Sequence, residues 1–164
     1  MRYVNLWLTV PMLGLLISCG QGSKNPFTAK IEADSLVLNF SVASGYFVRN
    51  DFSSEGLTLV TIDSKEKLEE VFGYATVMGE EGRATPVNFE NQFALAAVYS
   101  ATDLDVRMEP KFLVVEKDTL NVSIEMIMGQ KNSYQSRPFA LLIVDGNPGV
   151  FKSIKTQVNA RTAD

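Results

Sequence analysis

The chain of 164 residues contains no histidine, one cysteine and one tryptophan. Without histidine it can form no Ser-His-Asp triad, no Cys-His dyad and no His-ligated zinc or haem site. A lone cysteine excludes an internal disulfide framework and a thiolate metal cluster. Fifteen basic residues stand against 19 acidic ones for a net charge of −4, and the basic residues nowhere cluster. The electrostatic footprint of a nucleic-acid binder is therefore missing. No Gly-x-Ser-x-Gly elbow occurs, and hydrolysis needs a nucleophile, a base and an oxyanion site held together. The chain is read as a non-enzyme, with no catalytic residue, no metal and no cofactor. Its apolar content is nonetheless 46%, enough side chain to offset the entropy of folding.

The N-terminus is informative. Arg2 precedes an apolar run from Leu6 to Ile17, broken by Pro11 and Gly14, and Ser18 follows. A positive start, a short apolar core and a small residue are the parts of a secretory signal peptide. The run is shorter than the roughly 20 residues a membrane span needs. Leu16-Ile17-Ser18-Cys19 resembles the lipobox of bacterial lipoproteins. That resemblance implies that Cys19 receives a diacylglyceryl thioether, becomes the first residue of the mature chain, and is N-acylated or otherwise processed as the host requires. Each buried methylene contributes about 0.8 kcal/mol, so two or three acyl chains anchor stably where one does not. Residues 1–18 are then the signal, 19–26 a lipid-attached flexible leader rich in Gly and polar residues, and 27–164 a tethered domain. The expected location is the bacterial cell envelope. Gly20 is not the Asp that resembles an inner-membrane retention signal, and the leader lacks an acidic run, which favours the outer membrane facing the periplasm.

Residues 27–164 are predicted to form a single α+β domain, mainly an antiparallel β-sheet of six to eight strands with one main helix. Between Ile31 and Val42, the residues Leu36, Leu38, Phe40 and Val42 share one parity, the period of a strand. Tyr46-Phe47-Val48 and Leu57–Ile62 are further strands. Asp63-Ser64-Lys65-Glu66 reads as a capping box with Asp63 as the cap. Leu68, Val71 and Phe72 follow at helical spacing, and Gly73 offers a stop. Residues 79–92 read as a long loop. Phe93–Tyr99 is almost continuously apolar, the mark of a strand buried on both faces. Phe112–Val115 and Leu120–Met126 flank the turn residues Glu116–Thr119 as a hairpin. Phe139–Val144 and Val150–Ile154 flank a second turn, Asp145–Gly149.

The order of these elements, with Val87-Asn88-Phe89 ahead of the buried strand and Ser136-Arg137-Pro138-Phe139 ahead of a late one, resembles the PrcB-like domain. That family is named for a lipoprotein that stabilises a bacterial surface protease complex. The resemblance covers about residues 45–156. It implies a partner protein in the envelope and supplies no catalytic residues. Where the family carries a Gly-Gly-Tyr stretch this chain has Ala101–Val106 with no glycine, so no role transfers to that segment.

Gly129–Arg137 reads as a polar loop carrying Tyr134 and Arg137, residue types enriched at binding hot spots. These two are the candidate partner-binding residues. The alternative is a ligand-binding lipoprotein, taking a small molecule, glycan or lipid in a groove edged by Tyr46, Phe47 and Tyr134. Asp103 and Asp105 share a side if extended, but no third carboxylate stands near them and they read as solvated acids. Asp34-Ser35-Leu36 and Asp118-Thr119-Leu120 fit the loose Asp-Ser/Thr-aliphatic pattern of O-glycosylation in Bacteroidetes; a strand start and a turn explain them without sugar.

Overall fold

The computed structural model describes residues 35–75 and 83–163. In chain order the elements are β1 (Ser35–Leu38), β2 (Phe40–Val42), β3 (Tyr46–Val48), β4 (Leu57–Ile62), α1 (Lys65–Val71), β5 (Phe72–Tyr74), β6 (Gln92–Tyr99), β7 (Thr102–Glu116), β8 (Thr119–Ser136), β9 (Phe139–Asp145) and β10 (Ser153–Thr162). The signal, Cys19, the leader and Asp34 lie outside the described residues, as do residues 76–82 within and before the expected 79–92 loop.

The apolar run of β6 sits at the centre because neither of its faces meets water. Phe93, Leu95 and Ala97 join one core cluster, and Ala94, Ala96 and Val98 join another. β6 pairs antiparallel with β4 and β9, and β2 completes a central sheet in the order β2-β9-β6-β4. On one side this sheet packs against α1 and the two-stranded ribbon β3-β5, through Leu68, Val71, Phe72 and Tyr46. On the other it packs against an outer sheet ordered β1-β7-β8-β10, through Leu113, Leu120, Val122 and Ile124. Each of these four is fully buried, a gain of about 1.5–3 kcal/mol per large aliphatic side chain. Strand dominates the described residues and α1 is the one α-helix among them, so the expected main helix is found. Instead of one antiparallel sheet, however, the ten strands among the described residues are distributed over two four-stranded sheets and a ribbon.

Several local expectations need correction. The helix cap is Ser64, not Asp63: Ser64 Oγ accepts from Lys67 N at 3.2 Å. Asp63 stands one residue too far out to cap, and its carboxylate pairs with Lys67 Nζ at 2.8 Å instead. Gly73 does not stop the helix; the chain turns straight into β5 because Phe72 is buried and pairs with Val48. Gly73 is instead the place where the Phe47 ring crosses the ribbon, since a Cβ there would collide with Phe47 Cζ. The 31–42 strand breaks at Asn39, sending β1 to the outer sheet and β2 to the central one. Leu38 and Phe40 still face the core between the sheets, whereas Leu36 and Val42, at the ends of the same parity, are exposed.

The two segments that flank the turn at Asp145–Gly149 do not pair with each other: β9 pairs with β6 and β10 with β8. A 3-10 turn at Pro148–Val150 carries the chain from the central sheet to the outer one. There the N–H groups of Lys152 and Ser153 donate to Asp118 O beside the β7–β8 turn. β10 then runs parallel to β8 from Ser153↔Thr119 to Thr162↔Met128. Parallel neighbours need a crossover, and here β9 supplies it.

Candidate functional site

β6 and β9 leave the central sheet at the same corner. Tyr99 N donates to Pro138 O at 2.8 Å, and within a few residues on either side the chain enters β7 and leaves β8. Gly129–Ser136, expected as a loop, is the last part of β8, and Thr102–Val106 begins β7. The register here is broken. Val106 faces Met128, Leu104 faces Lys131, and Thr102 faces Ser136. β8 therefore carries one extra residue in the first step and three in the second. Extra residues of this kind bend a strand and re-aim its side chains. The polar composition that read as a loop marks this bend.

Tyr134 sits on the excess stretch and is 64% exposed. Arg137 closes the corner. Its Nη1 donates to the carbonyl oxygens of Arg49, at 2.9 Å, and Phe52, and its Nη2 to Asn50 O at 3.2 Å. The guanidinium thus pins the loop after β3 to the β8–β9 corner. Beside this loop, Arg49 grips Asp51 with Nε to Oδ1 at 3.0 Å and Nη2 to Oδ2 at 2.8 Å. The hydrogen bond from Arg49 holds the Asp51 carboxyl below its ordinary value, with a smaller contribution from the charge of Arg137.

Between β3 and the corner lies a cleft of about 460 Å³ lined by Phe47, Val48, Asn50, Ala101, Gln135, Ser136, Arg137 and Phe139. Its size is within the range of ligand pockets, about 300–1,000 Å³. Of the three aromatics expected to edge a groove, Phe47 is in this lining and is 48% exposed. Tyr46 is buried, its hydroxyl donating to Thr85 O at 2.6 Å. Burial, and then the neighbouring Tyr74, raises the Tyr46 pKa. The turn that brings this loop close requires Gly45, at φ +79°, because a Cβ would lie 2.6 Å from Ala84 Cα. Tyr134 is not among the lining residues. Asn50, Gln135 and Phe139 were not legible as site residues, since only the bend of β8 brings them together.

The remaining candidates are placed as follows. Asp103 pairs with Lys131 Nζ at 2.7 Å, which lowers its pKa. Among the described residues no group of three or more Asp, Glu, Cys or His side chains could hold a metal ion. Ser64 and Lys67, a pair not counted as a candidate from the sequence, do stand at the Ser-x-x-Lys spacing of some hydrolases. Here Ser64 Oγ caps α1 and Lys67 Nζ pairs with Asp63, so the two side chains serve the helix start. Thr119 Oγ1 hydrogen-bonds Ser153 Oγ at 2.8 Å, and Ser35 opens β1 opposite Glu116. No helix among the described residues is long and apolar enough to cross a membrane. No protein-family model matches the chain, and no curated protein or solved structure matches it.

Proposed function

We propose that this chain is a lipid-anchored accessory protein of the bacterial cell envelope that binds or stabilises a partner protein, without chemistry of its own. The lipobox Leu16-Ile17-Ser18-Cys19 supports the anchor. The observation that carries partner binding is the corner: an exposed Tyr134 on the bulged end of β8, three residues from the half-buried Arg137. Tyrosine and arginine are the types that dominate binding energy at protein interfaces. The PrcB-like resemblance suggests a protease complex as the class of partner.

Mass spectrometry of the membrane fraction tests the anchor. It should find an acylated N-terminal Cys19 and no Trp7; a soluble product, or a Cys19→Ala variant that still matures and stays in the membrane, would refute it. A crosslinked pull-down from intact cells tests the partner. One protein should be recovered stoichiometrically, and its level should fall when this gene is deleted. A second reading, capture of a small molecule, glycan or lipid, draws support from the cleft beside Phe47. A pull-down free of protein partner together with saturable glycan or lipid binding would replace the first reading by the second.

A further inference from the structure

Arginine carries five N–H donors in a fixed planar fork. Nη1 of Arg137 directs both of its hydrogens to the carbonyls of Arg49 and Phe52, and Nη2 directs one to Asn50. That leaves Nε–H and one Nη2–H. Their two nitrogens form one edge of the plane, the edge that grips a carboxylate with two parallel bonds. Among the described residues neither donor has an acceptor. Nor does Arg137 touch a carboxylate: the acid beside it, Asp51, is held by both Nε and Nη2 of Arg49. Among the described residues Nε is not a buried atom left without a partner, so the two unused donors are open to solvent at a residue that lines the cleft, where an anion can reach them.

The cleft supplies an apolar counterpart. Phe47 is fixed over Gly73 and leaves about half its surface exposed in the lining, with Val48, Ala101 and Phe139 around it. We infer that this cleft is a carboxylate-recognition site for a partner polypeptide. The carboxylate lies across Nε and Nη2 of Arg137, and an adjoining apolar side chain lies against Phe47. The free carboxyl terminus of a polypeptide and an Asp or Glu side chain present the same group. The inference rests on the partner-protein reading and names what that partner must offer.

Fluorescence anisotropy on the full-length protein tests it, with three fluorescein-labelled pentapeptides. One is a glycine tract ending in a free-acid leucine, the second is its C-terminal amide, and the third is the amide with glutamate before the leucine. The first or the third should bind saturably, and the amide about tenfold more weakly or worse, the loss expected when charged hydrogen bonds are removed. Binding of the first alone identifies a carboxyl terminus as the source, and binding of the third alone a side chain. Arg137→Ala also unpins the loop, so the decisive variants are Gln135→Glu, which sets a competing carboxylate in the lining, and Phe47→Ala. Each should weaken binding about tenfold while circular dichroism stays unchanged. Equal binding of acid and amide, no binding of any peptide, or unaltered affinity in both variants overturns the site. If both variants still recover the protein partner from cells, the site fails while the partner reading stands. If the wild type recovers no partner, the partner reading fails, and the peptide titration still judges the cleft.

Discussion

The two ends of the β7–β8 hairpin make opposite use of one pair of strands. Toward the turn the register runs unbroken from Phe112↔Ser123 to Glu116↔Thr119, and Leu113, Leu120 and Val122 are completely buried against the central sheet. Toward the corner β8 gains residues over β7, Tyr134 is exposed, and the anchor is not a core side chain but the guanidinium of Arg137. The turn end is held by apolar burial, which is non-directional and spread over many contacts. The corner end depends on three directed hydrogen bonds from one residue. An end held in this way can present a protruding side chain without giving up the core.

Truncation at the turn end should have the largest effect. Leu120→Ala should cost about 2–5 kcal/mol in urea unfolding, through lost burial and the cavity left behind. A cost under about 1 kcal/mol would mean that the inter-sheet core is not where stability resides. Arg137→Ala, at the corner, should come next, at about 1.5–3 kcal/mol for lost charged hydrogen bonds. It should also raise hydrogen exchange in residues 49–52 more than in β6, and uniform exchange across both segments would show that the clamp has been misread.

Glu125, midway along β8, sharpens the comparison through pH. A bulge on β7 leaves Lys111 as the extra residue, and its Nζ lies 2.8 Å from Glu125, with Arg161 Nε at 3.1 Å. The hydrogen bond from Lys111, then that from Arg161, lowers the Glu125 carboxyl below its ordinary 4.5. A depressed carboxyl contributes stability that is complete above that ordinary value and is lost as pH falls through the lowered one. Glu125→Gln should therefore melt below wild type at pH 7, and the gap should close in acid below about 4.5. A gap that does not narrow as pH is lowered from 4.5, or that widens, would refute this. The smallest stability effect belongs to Tyr134→Ala, within about 0.5 kcal/mol as an exposed position. The same substitution should cost about 2 kcal/mol or more in partner capture; a large loss of stability with intact capture would reverse the roles of the two ends.

Much of the regular structure was legible. Phe93–Tyr99 is a strand apolar on both sides, and both of its sides are buried. Leu68 and Val71 at helical spacing face the core from α1. The candidate site was legible only in part. Tyr134 and Arg137 stand on the corner, but the polar stretch that suggested a loop is a bulged strand, because polarity reports exposure and exposure fits either. Arg137 looked like an interface arginine, and three of its hydrogen bonds go to its own backbone.

What the amino-acid sequence determined by itself was local: the central strand, the helix at Lys65–Val71, and the tight turn at Lys117–Asp118. Period, cap and turn chemistry act between residues a few positions apart, so they can be read in consecutive letters. Only the tertiary structure decided that the Ser35–Val42 stretch splits between two sheets, that β10 lies parallel to β8, and that Arg137 holds a loop 85–88 residues earlier. An apolar period states which side of a strand avoids water. It does not state which distant segment covers that side, and here the order of strands and the cleft beside Phe47 depend on that choice.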